Sequence, residues 1–346
     1  MPMRRCPNCK RMYAPTDRFC AHDGTLLVEV QDPAAPPPEA RPEPIVAAHN
    51  RASTLQNQVL EDRWRVVKKL GEGGMSYVYL AVDLTTTQTV AIKVLSPKLS
   101  SDPGSAERLK REAALAMKLD HPNVCPIHQL GNTADGLLFL VMPFLSGELL
   151  SDRENRGGPL PVEEGIALLV QMCRGLEHAH SLEIIHRDLK PENVMLVPDA
   201  DGPFPSRAVV MDFGLAKQRQ AGPEVQKLTA TGIVLGTPEF MSPEQIRGKA
   251  LDGRSDIYAL GILAFEMFTG ALPFSGRSAP EMMIARLRGQ PKALREVKPD
   301  LPARLEAVIA TSLAADPANR FQTMGEFAQA LQGSVESGVL AKLFGR

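Results

Sequence analysis

The chain has 346 residues, of which 44% are apolar and 23% charged, a composition typical of a globular protein and not of a disordered or collagen-like one. Its formal net charge of −1 gives no overall attraction to nucleic acid or to an anionic membrane. The longest apolar stretch, Ala259 to Phe268, is interrupted by Glu266 and is much shorter than the roughly 20 residues that span a bilayer. We therefore expect neither a membrane anchor nor a nucleic-acid partner.

Three of the five cysteines lie within the first 20 residues, at Cys6, Cys9 and Cys20. An odd cysteine count and the lack of an apolar signal-like core at the N-terminus indicate a reducing cytosol, so we expect a cytoplasmic protein. Clustered cysteines in that compartment more often bind metal than form disulfides.

The cysteine spacing resembles a small zinc ribbon of two knuckles, which we assign to residues 1–30. A regular ribbon would have its fourth cysteine at position 23, where Asp23 stands beside His22. Ligand chemistry allows either a Cys3His or a Cys3Asp zinc site. So small a unit cannot bury a sufficient core and would need such a metal. The alternative is a degenerate ribbon without metal.

Six prolines between positions 33 and 44 mark a linker, which we place at residues 31–61. Each proline removes a backbone donor and disfavours helix at the residue before it. The linker separates the N-terminal unit from a larger body.

The body begins with strand-like runs and continues with helical ones. Residues 64–70, 77–83 and 89–95 predict an antiparallel meander, followed by a helix at 106–119 and a strand at 137–142. Helical spacing then dominates, at 160–180, 259–268, 278–287 and 301–314. Strands first and helices later predict an α+β fold of two lobes.

Gly71 and Gly73 lie two apart between the first two strands, in the segment LGEGGMSYVY. One explanation is a tight hairpin turn that needs positive φ angles. The other is a hairpin whose backbone, free of side chains, can lie over phosphate groups.

Lys93 ends an otherwise apolar strand, where an ammonium group is costly to desolvate unless an anion neutralises it. Glu112, on the following helix, shares a face with Leu109 and Ala116. For an isolated pair, a surface lysine and an unrelated helical glutamate would be the better explanation. The order of glycine hairpin, strand lysine and helix glutamate favours a functional pair.

Asp188 and Asn193 lie in the segment HRDLKPEN, and Asp212 follows the next short strand. Each carboxylate alone could cap a turn. Together, two carboxylates and an amide suit oxygen ligation of Mg²⁺ and the positioning of a hydroxyl nucleophile.

This series of motifs resembles a eukaryotic-type protein kinase domain over residues 62–332, with an N-lobe at 62–142, a C-lobe at 146–332 and a tail at 333–346. The triplet Lys190-Pro191-Glu192 is similar to that of serine/threonine kinases, and residues 228–245 resemble the bacterial branch. The resemblance implies a two-lobed α+β kinase fold and transfer of the ATP γ-phosphate to Ser or Thr hydroxyls of protein substrates.

The resemblance also implies roles for single residues. Lys93 would contact the α and β phosphates and pair with Glu112, Asp188 would orient the acceptor hydroxyl, and Lys190 would steady the γ-phosphate. Asn193 and Asp212 would hold Mg²⁺ or Mn²⁺. The remaining residues expected at the nucleotide are Gly71, Glu72, Gly73, Gly74, Val78, Ala91, Met142 and Leu145.

Three further features fit the same family. Glu244 resembles the glutamate that pairs with an arginine, here Arg320, and Asp256 resembles the buried aspartate that supports the catalytic loop. Thr229 and Thr231 occupy the places of activating phosphorylation sites, whose phosphates would meet Arg187. Autophosphorylation in trans would require a transient homodimer.

Two other classes of protein compete with an active kinase. A pseudokinase or scaffold usually lacks the strand lysine, the catalytic aspartate or the magnesium aspartate, and all three are present here as Lys93, Asp188 and Asp212. A nucleic-acid-binding zinc protein would need a basic stripe and interleaved aromatic residues, which the sequence lacks.

Overall fold

A computed structural model of the chain describes residues 4–14, 16–29, 52–73, 76–95, 103–133, 135–213, 238–276, 278–288 and 290–335. The chain forms two compact units, Met1–Ala48 and His49–Arg346. We predicted a linker reaching residue 61, but residues 52–60 are part of the larger unit. Ala52, Leu55 and Leu60 are buried, and the hydroxyl of Tyr79 donates to the carbonyl of Ala52 at 2.7 Å.

The smaller unit contains a three-stranded antiparallel sheet. Strand β1 (Arg4–Arg5) lies between β2 (Met12–Tyr13) and β3 (Val28–Glu29). Its buried core consists of Cys6, Cys20 and Leu27, with Cys9 and Tyr13 packed against it. Cysteines thus make up much of the interior of this unit.

The N-lobe of the larger unit is built on a six-stranded antiparallel sheet with the order β4-β5-β6-β7-β9-β8. Its strands are β4 (Val59–Leu60), β5 (Trp64–Gly73), β6 (Ser76–Asp83), β7 (Thr89–Leu95), β8 (Gln129–Asn132) and β9 (Leu138–Pro143). Helix α1 (Pro103–Ala116) packs Leu109 against Leu95 and Leu138 of the sheet. Strands β5, β6 and β7 form the predicted meander.

The C-lobe is mostly helical. Its helices are α2 (Leu150–Gly157), α3 (Val162–Ser181), α4 (Pro243–Ile246), α5 (Gly253–Thr269), α6 (Ala279–Arg288), α7 (Leu294–Val297), α8 (Ala303–Ser312) and α9 (Met324–Gly333). Helix α5 is buried almost throughout, as the apolar run at 259–268 predicts. The Asp252 side chain caps its N-terminus, and Gly270, with φ of 69°, ends it in the left-handed region.

A small antiparallel sheet lies at the start of the C-lobe, in the order β10 (Glu148–Leu149), β11 (Val194–Pro198) and β12 (Ser206–Val210). Strands β11 and β12 flank the segments that carry Asn193 and Asp212. The α+β two-lobed fold predicted from the sequence is confirmed. None of the helices in the described ranges combines the length and apolar composition needed to cross a membrane.

Candidate active site

The β5–β6 hairpin carries the glycine segment. Neither Gly71 nor Gly73 has a positive φ, so turn conformation does not explain these two glycines. A Cβ added at Gly71 would meet no atom within 4 Å, and one at Gly73 would meet a backbone oxygen only at 4.0 Å. The space beside the hairpin is therefore open to a ligand. Glu72 forms an exposed ion pair with Lys69, and Gly74 lies outside the described residues.

Lys93, on β7, forms an ion pair with Asp212 at 2.7 Å between Nζ and Oδ2. Burial alone would raise the pKa of Asp212, but the charge and hydrogen bond of Lys93 lower it below its ordinary value. The strand lysine thus has an anionic partner, Asp212, although the sequence pointed to Glu112. Glu112 lies half-buried on α1, and its predicted pairing with Lys93 stays a prediction.

The segment of residues 186–193 is organised around His186, which is fully buried. Its Nε2 donates to the carbonyl of Met211 at 2.8 Å, and its Nδ1 accepts from the backbone N–H of Asp188 at 3.3 Å. One neutral tautomer satisfies both bonds. The ring also packs on Phe213, with centroids 4.8 Å apart. His186 therefore ties the segment of Asp188 to the strand end before Asp212.

Asn193 lies beside Asp188. Its amide nitrogen donates to the carbonyl of Asp188 at 2.7 Å and approaches the Asp188 carboxylate at 3.4 Å. The backbone N–H of Asn193 donates to the carbonyl of Lys190 at 2.9 Å, which closes the 3-10 turn Pro191–Asn193. The amide oxygen of Asn193 accepts no hydrogen bond within the described part of the chain. This oxygen is of the kind that binds a divalent cation such as Mg²⁺.

Asp256, at the start of α5, holds the backbone of the same segment by hydrogen bonds. Its carboxylate accepts from the backbone N–H groups of His186 and Arg187 at 2.8 and 2.9 Å, and His180 Nε2 lies 2.8 Å away. Burial by itself raises the pKa of Asp256, but the hydrogen bond and charge of His180 lower it overall. The supporting role predicted for Asp256 fits this geometry.

Two residues of the site have left-handed backbone, Arg187 with φ of 64° and Asp212 with φ of 60°. Such a conformation costs a non-glycine residue about 1–3 kcal/mol and persists only where the surroundings enforce it. The backbone of Arg187 is held in this conformation by two hydrogen bonds. Asp256 accepts from its N–H, and Gln245 Nε2 donates to its carbonyl at 2.8 Å. The sequence did not point to Gln245.

The expected nucleotide-binding residues of the N-lobe lie on adjacent strands. Ala91 on β7 pairs with Met142 on β9, and Val78 on β6 pairs with Lys93. Leu145 is half-buried just after β9. Val78, Ala91 and Met142 therefore lie in the same sheet as the glycine hairpin. The predicted phosphorylation sites, Thr229 and Thr231, lie outside the described residues.

In the N-terminal unit, the structure brings together Cys6, Cys9, Cys20 and Asp23, whose ligand atoms all lie within 4.8 Å of one another. The sequence left His22 and Asp23 as alternatives for the fourth ligand. His22 is exposed, and only its backbone N–H is directed at the cluster, toward Cys20 Sγ at 3.4 Å. The geometry therefore favours Asp23.

Comparisons with known proteins agree with this architecture. Residues 64–333 match the family described as protein kinase domain. The serine/threonine-protein kinase pkn3 of Myxococcus xanthus is 38% identical over 272 residues, 78% of this chain and 49% of that protein. PrkC of Bacillus subtilis is 36% identical over 264 residues, 76% of this chain and 39% of that protein.

A solved structure is also similar. The crystal structure of the Mycobacterium tuberculosis PknI kinase domain matches with a TM-score of 0.65 and 31% identity, covering 81% of this chain and 99% of that one. The chain spans half or less of the length of the two curated relatives described above. The family match over residues 64–333 and the similarity to that kinase domain together establish that the chain belongs to the protein kinase family.

Proposed function

We propose that this chain is an active serine/threonine protein kinase, which transfers the γ-phosphate of ATP to Ser or Thr hydroxyls of protein substrates. The observation that carries the proposal is the Lys93–Asp212 ion pair, which lies next to a segment where Asn193 contacts Asp188. A pseudokinase usually lacks at least one of the strand lysine, the catalytic aspartate and the magnesium aspartate, whereas this chain has all three as Lys93, Asp188 and Asp212. Its substrates are proteins, and nothing in the charge of the chain favours nucleic acid.

Asp188 is the residue that accepts a hydrogen bond from the acceptor hydroxyl and receives its proton. Its position is fixed by the backbone bond to His186 and by the amide of Asn193. Lys93 and Lys190 are the cations that face the phosphate groups of ATP. These phosphate groups bind in the open space beside Gly71 and Gly73. The chain thus orients the nucleophile and neutralises charge without forming a covalent intermediate.

Asn193 and Asp212 are the residues that hold Mg²⁺, or Mn²⁺ in its place. The low pKa of Asp212 keeps it an anion, as a metal-binding carboxylate must be. When bound, the cation would neutralise the negative charge on the phosphate oxygens. The Lys93 ammonium contributes a positive charge to the same carboxylate.

The kinase is switched on by phosphorylation of Thr229 or Thr231, in trans within a transient homodimer. Arg187 supports this proposal, because its Nε atom is buried and has no hydrogen-bond partner among the described residues. A phosphate group carries a charge of about −1.5 to −2 and would form charge-assisted hydrogen bonds with the Arg187 guanidinium.

Purified full-length protein should therefore phosphorylate a generic Ser/Thr acceptor and itself in the presence of labelled ATP and Mg²⁺. Phosphopeptide mapping identifies the modified residues. Asp188→Asn serves as the inactive reference, so that a contaminating kinase is recognised. Equal incorporation by wild type and this variant would refute the proposal.

The N-terminal unit is proposed to bind one zinc ion through Cys6, Cys9 and Cys20. All five cysteines of the chain are free thiols, which fits the reducing cytoplasm proposed as its location. A unit this small needs a metal to hold its core. Elemental analysis of the full-length protein should find about one zinc, lost in a Cys6→Ser/Cys9→Ser variant.

A further inference from the structure

The ligand atoms of the N-terminal cluster all lie within 4.8 Å of one another, and two of the distances between them can be compared with those around one tetrahedral ion. Zinc bonds of about 2.3 Å to sulfur and about 2.0 Å to oxygen imply edges of about 3.8 Å between two sulfurs and about 3.5 Å between sulfur and oxygen. The Sγ atoms of Cys9 and Cys20 are 3.5 Å apart. Cys6 Sγ lies 3.6 and 3.5 Å from the two carboxylate oxygens of Asp23. Both kinds of edge have nearly the length that one bound ion requires.

Backbone N–H groups point at two of the sulfurs. The N–H of Cys9 donates to Cys6 Sγ and the N–H of His22 donates to Cys20 Sγ, both at 3.4 Å. Such donors stabilise the thiolate form, which is the form that binds metal. The role of His22 is thus carried by its main chain, while its imidazole is absent from the group of converging ligand atoms.

The carboxylate of Asp23 is held in place by the same loop. The backbone N–H of Thr25 donates to Asp23 Oδ1 at 3.0 Å, which fixes the side chain toward the cysteines. Cys20 and Asp23 are three residues apart, as Cys6 and Cys9 are, so each pair supplies two ligands from one turn.

Tyr13 contacts the cluster from strand β2. Its hydroxyl lies 2.9 Å from Cys20 Sγ, and its ring packs on the core of Cys6, Cys20 and Leu27. A phenol that donates to a thiolate orients the sulfur and shares its negative charge. Partners of this kind typically change metal affinity by about 10–100-fold when they are removed.

We propose that Cys6, Cys9, Cys20 and Asp23 form a Cys3Asp site for one Zn²⁺, that His22 is not a ligand, and that Tyr13 orients Cys20. This inference rests on the zinc binding proposed above and goes further by fixing the ligand set and a positioning residue. Zinc prefers thiolate to carboxylate in such sites. The exposed Asp23 is therefore the weakest of the four ligands and the position where affinity can be raised.

The test uses the full-length chain with Zn²⁺ in chelator competition and with Co²⁺ as an optical probe of tetrahedral thiolate ligation. Asp23→Ala should raise the Kd for Zn²⁺ by more than about 100-fold, and Tyr13→Phe by about 10-fold with the Co²⁺ spectrum shifted. The neighbouring His22→Ala is the matched control and should bind like wild type. Asp23→Cys should bind Zn²⁺ more tightly than wild type, which keeps the test valid if Asp23→Ala fails to fold.

Each other outcome overturns a defined part of the inference. Weaker binding by His22→Ala with unchanged binding by Asp23→Ala would make His22 the fourth ligand. Unchanged binding by both would leave three cysteines without a protein-derived fourth ligand. An unchanged Kd in Tyr13→Phe would remove the role of Tyr13. If wild type binds neither ion, the proposed zinc binding itself is wrong, whereas the kinase proposal is unaffected.

Discussion

Arg320 and Glu244 lie 76 residues apart in the sequence and form a bidentate ion pair in the interior of the C-lobe, at 2.7 and 2.9 Å. The Arg320 side chain is 0% exposed and that of Glu244 7%. Burial raises the pKa of Glu244, but its bonds to Arg320 lower it overall. The pair predicted from the sequence thus anchors the start of α4 to the segment that follows α8.

Removal of one partner should be strongly destabilising. Arg320→Ala leaves the Glu244 carboxylate buried without its cation, and we expect a loss of about 3–5 kcal/mol in the free energy of unfolding. Denaturant unfolding followed by circular dichroism measures it. Lys110→Ala, which breaks the exposed pair with Glu107, is the control and should cost less than about 1 kcal/mol. Similar losses in both variants would contradict the structural role.

Asp188→Asn should separate chemistry from binding. The substitution keeps the shape of the side chain but removes the base, so kcat should fall by about 10²–10⁴-fold while ATP affinity stays near wild type. Phosphate transfer to a generic acceptor and ATP titration provide the two readouts. The exposed Asp300→Asn is the matched control and should change neither. A parallel loss of ATP binding in Asp188→Asn would place Asp188 at the nucleotide instead of at the hydroxyl.

The sequence was informative where the chemistry lies in one short segment. Asp188, Lys190 and Asn193 are within six residues, so their grouping needs no knowledge of the fold. Contacts between distant segments were harder to predict, because they depend on how helices and loops pack. The bond from Gln245 to the Arg187 carbonyl is an example, as is the burial of Leu55, which belongs to a segment predicted to be a linker.

The same reasoning applies to the N-terminal cluster of Cys6, Cys9, Cys20 and Asp23. Cysteine spacing indicated three candidate ligands, but position alone could not decide between His22 and Asp23, which are adjacent. The choice depends on the backbone direction in one turn, where the His22 N–H faces Cys20 and the Asp23 carboxylate faces Cys6. The contact of Tyr13 with Cys20 could not be predicted, because an isolated tyrosine in a strand is usually part of a hydrophobic core.

Phosphorylation of the loop should raise activity through Arg187. After incubation with ATP, peptide mapping should find phosphate on Thr229 or Thr231, and the Thr229→Ala/Thr231→Ala variant should transfer phosphate at least about tenfold more slowly than wild type. Arg187→Ala should lower the activity of phosphorylated protein to that of the double variant. The exposed Thr311→Ala is the control. A double variant as active as wild type would refute the switch while leaving the kinase assignment intact.

Glu154 on α2 and Glu266 on α5 should make the protein less stable as pH rises. Burial, with the charges of Glu266 and Glu192, raises the pKa of Glu154 from 4.5 to about 8, and burial raises that of Glu266 to about 7. Buried oxygens of both, Glu154 Oε1 and Glu266 Oε2, have no hydrogen-bond partner among the described residues. The folded state therefore retains protons that the unfolded chain releases.

Because the pKa of Glu154 is raised in the folded state, its contribution to stability is complete below about pH 4.5 and is lost as pH rises toward about 8. Glu154→Gln keeps the side chain neutral at every pH, so it should unfold like wild type near pH 5 but be more stable by about 1–2 kcal/mol at pH 9. Denaturant midpoints measured from pH 5 to 9 test this, with the exposed Glu163→Gln of α3 as control. An identical pH dependence in Glu154→Gln and wild type would show that the Glu154 carboxylate is solvated when it ionises.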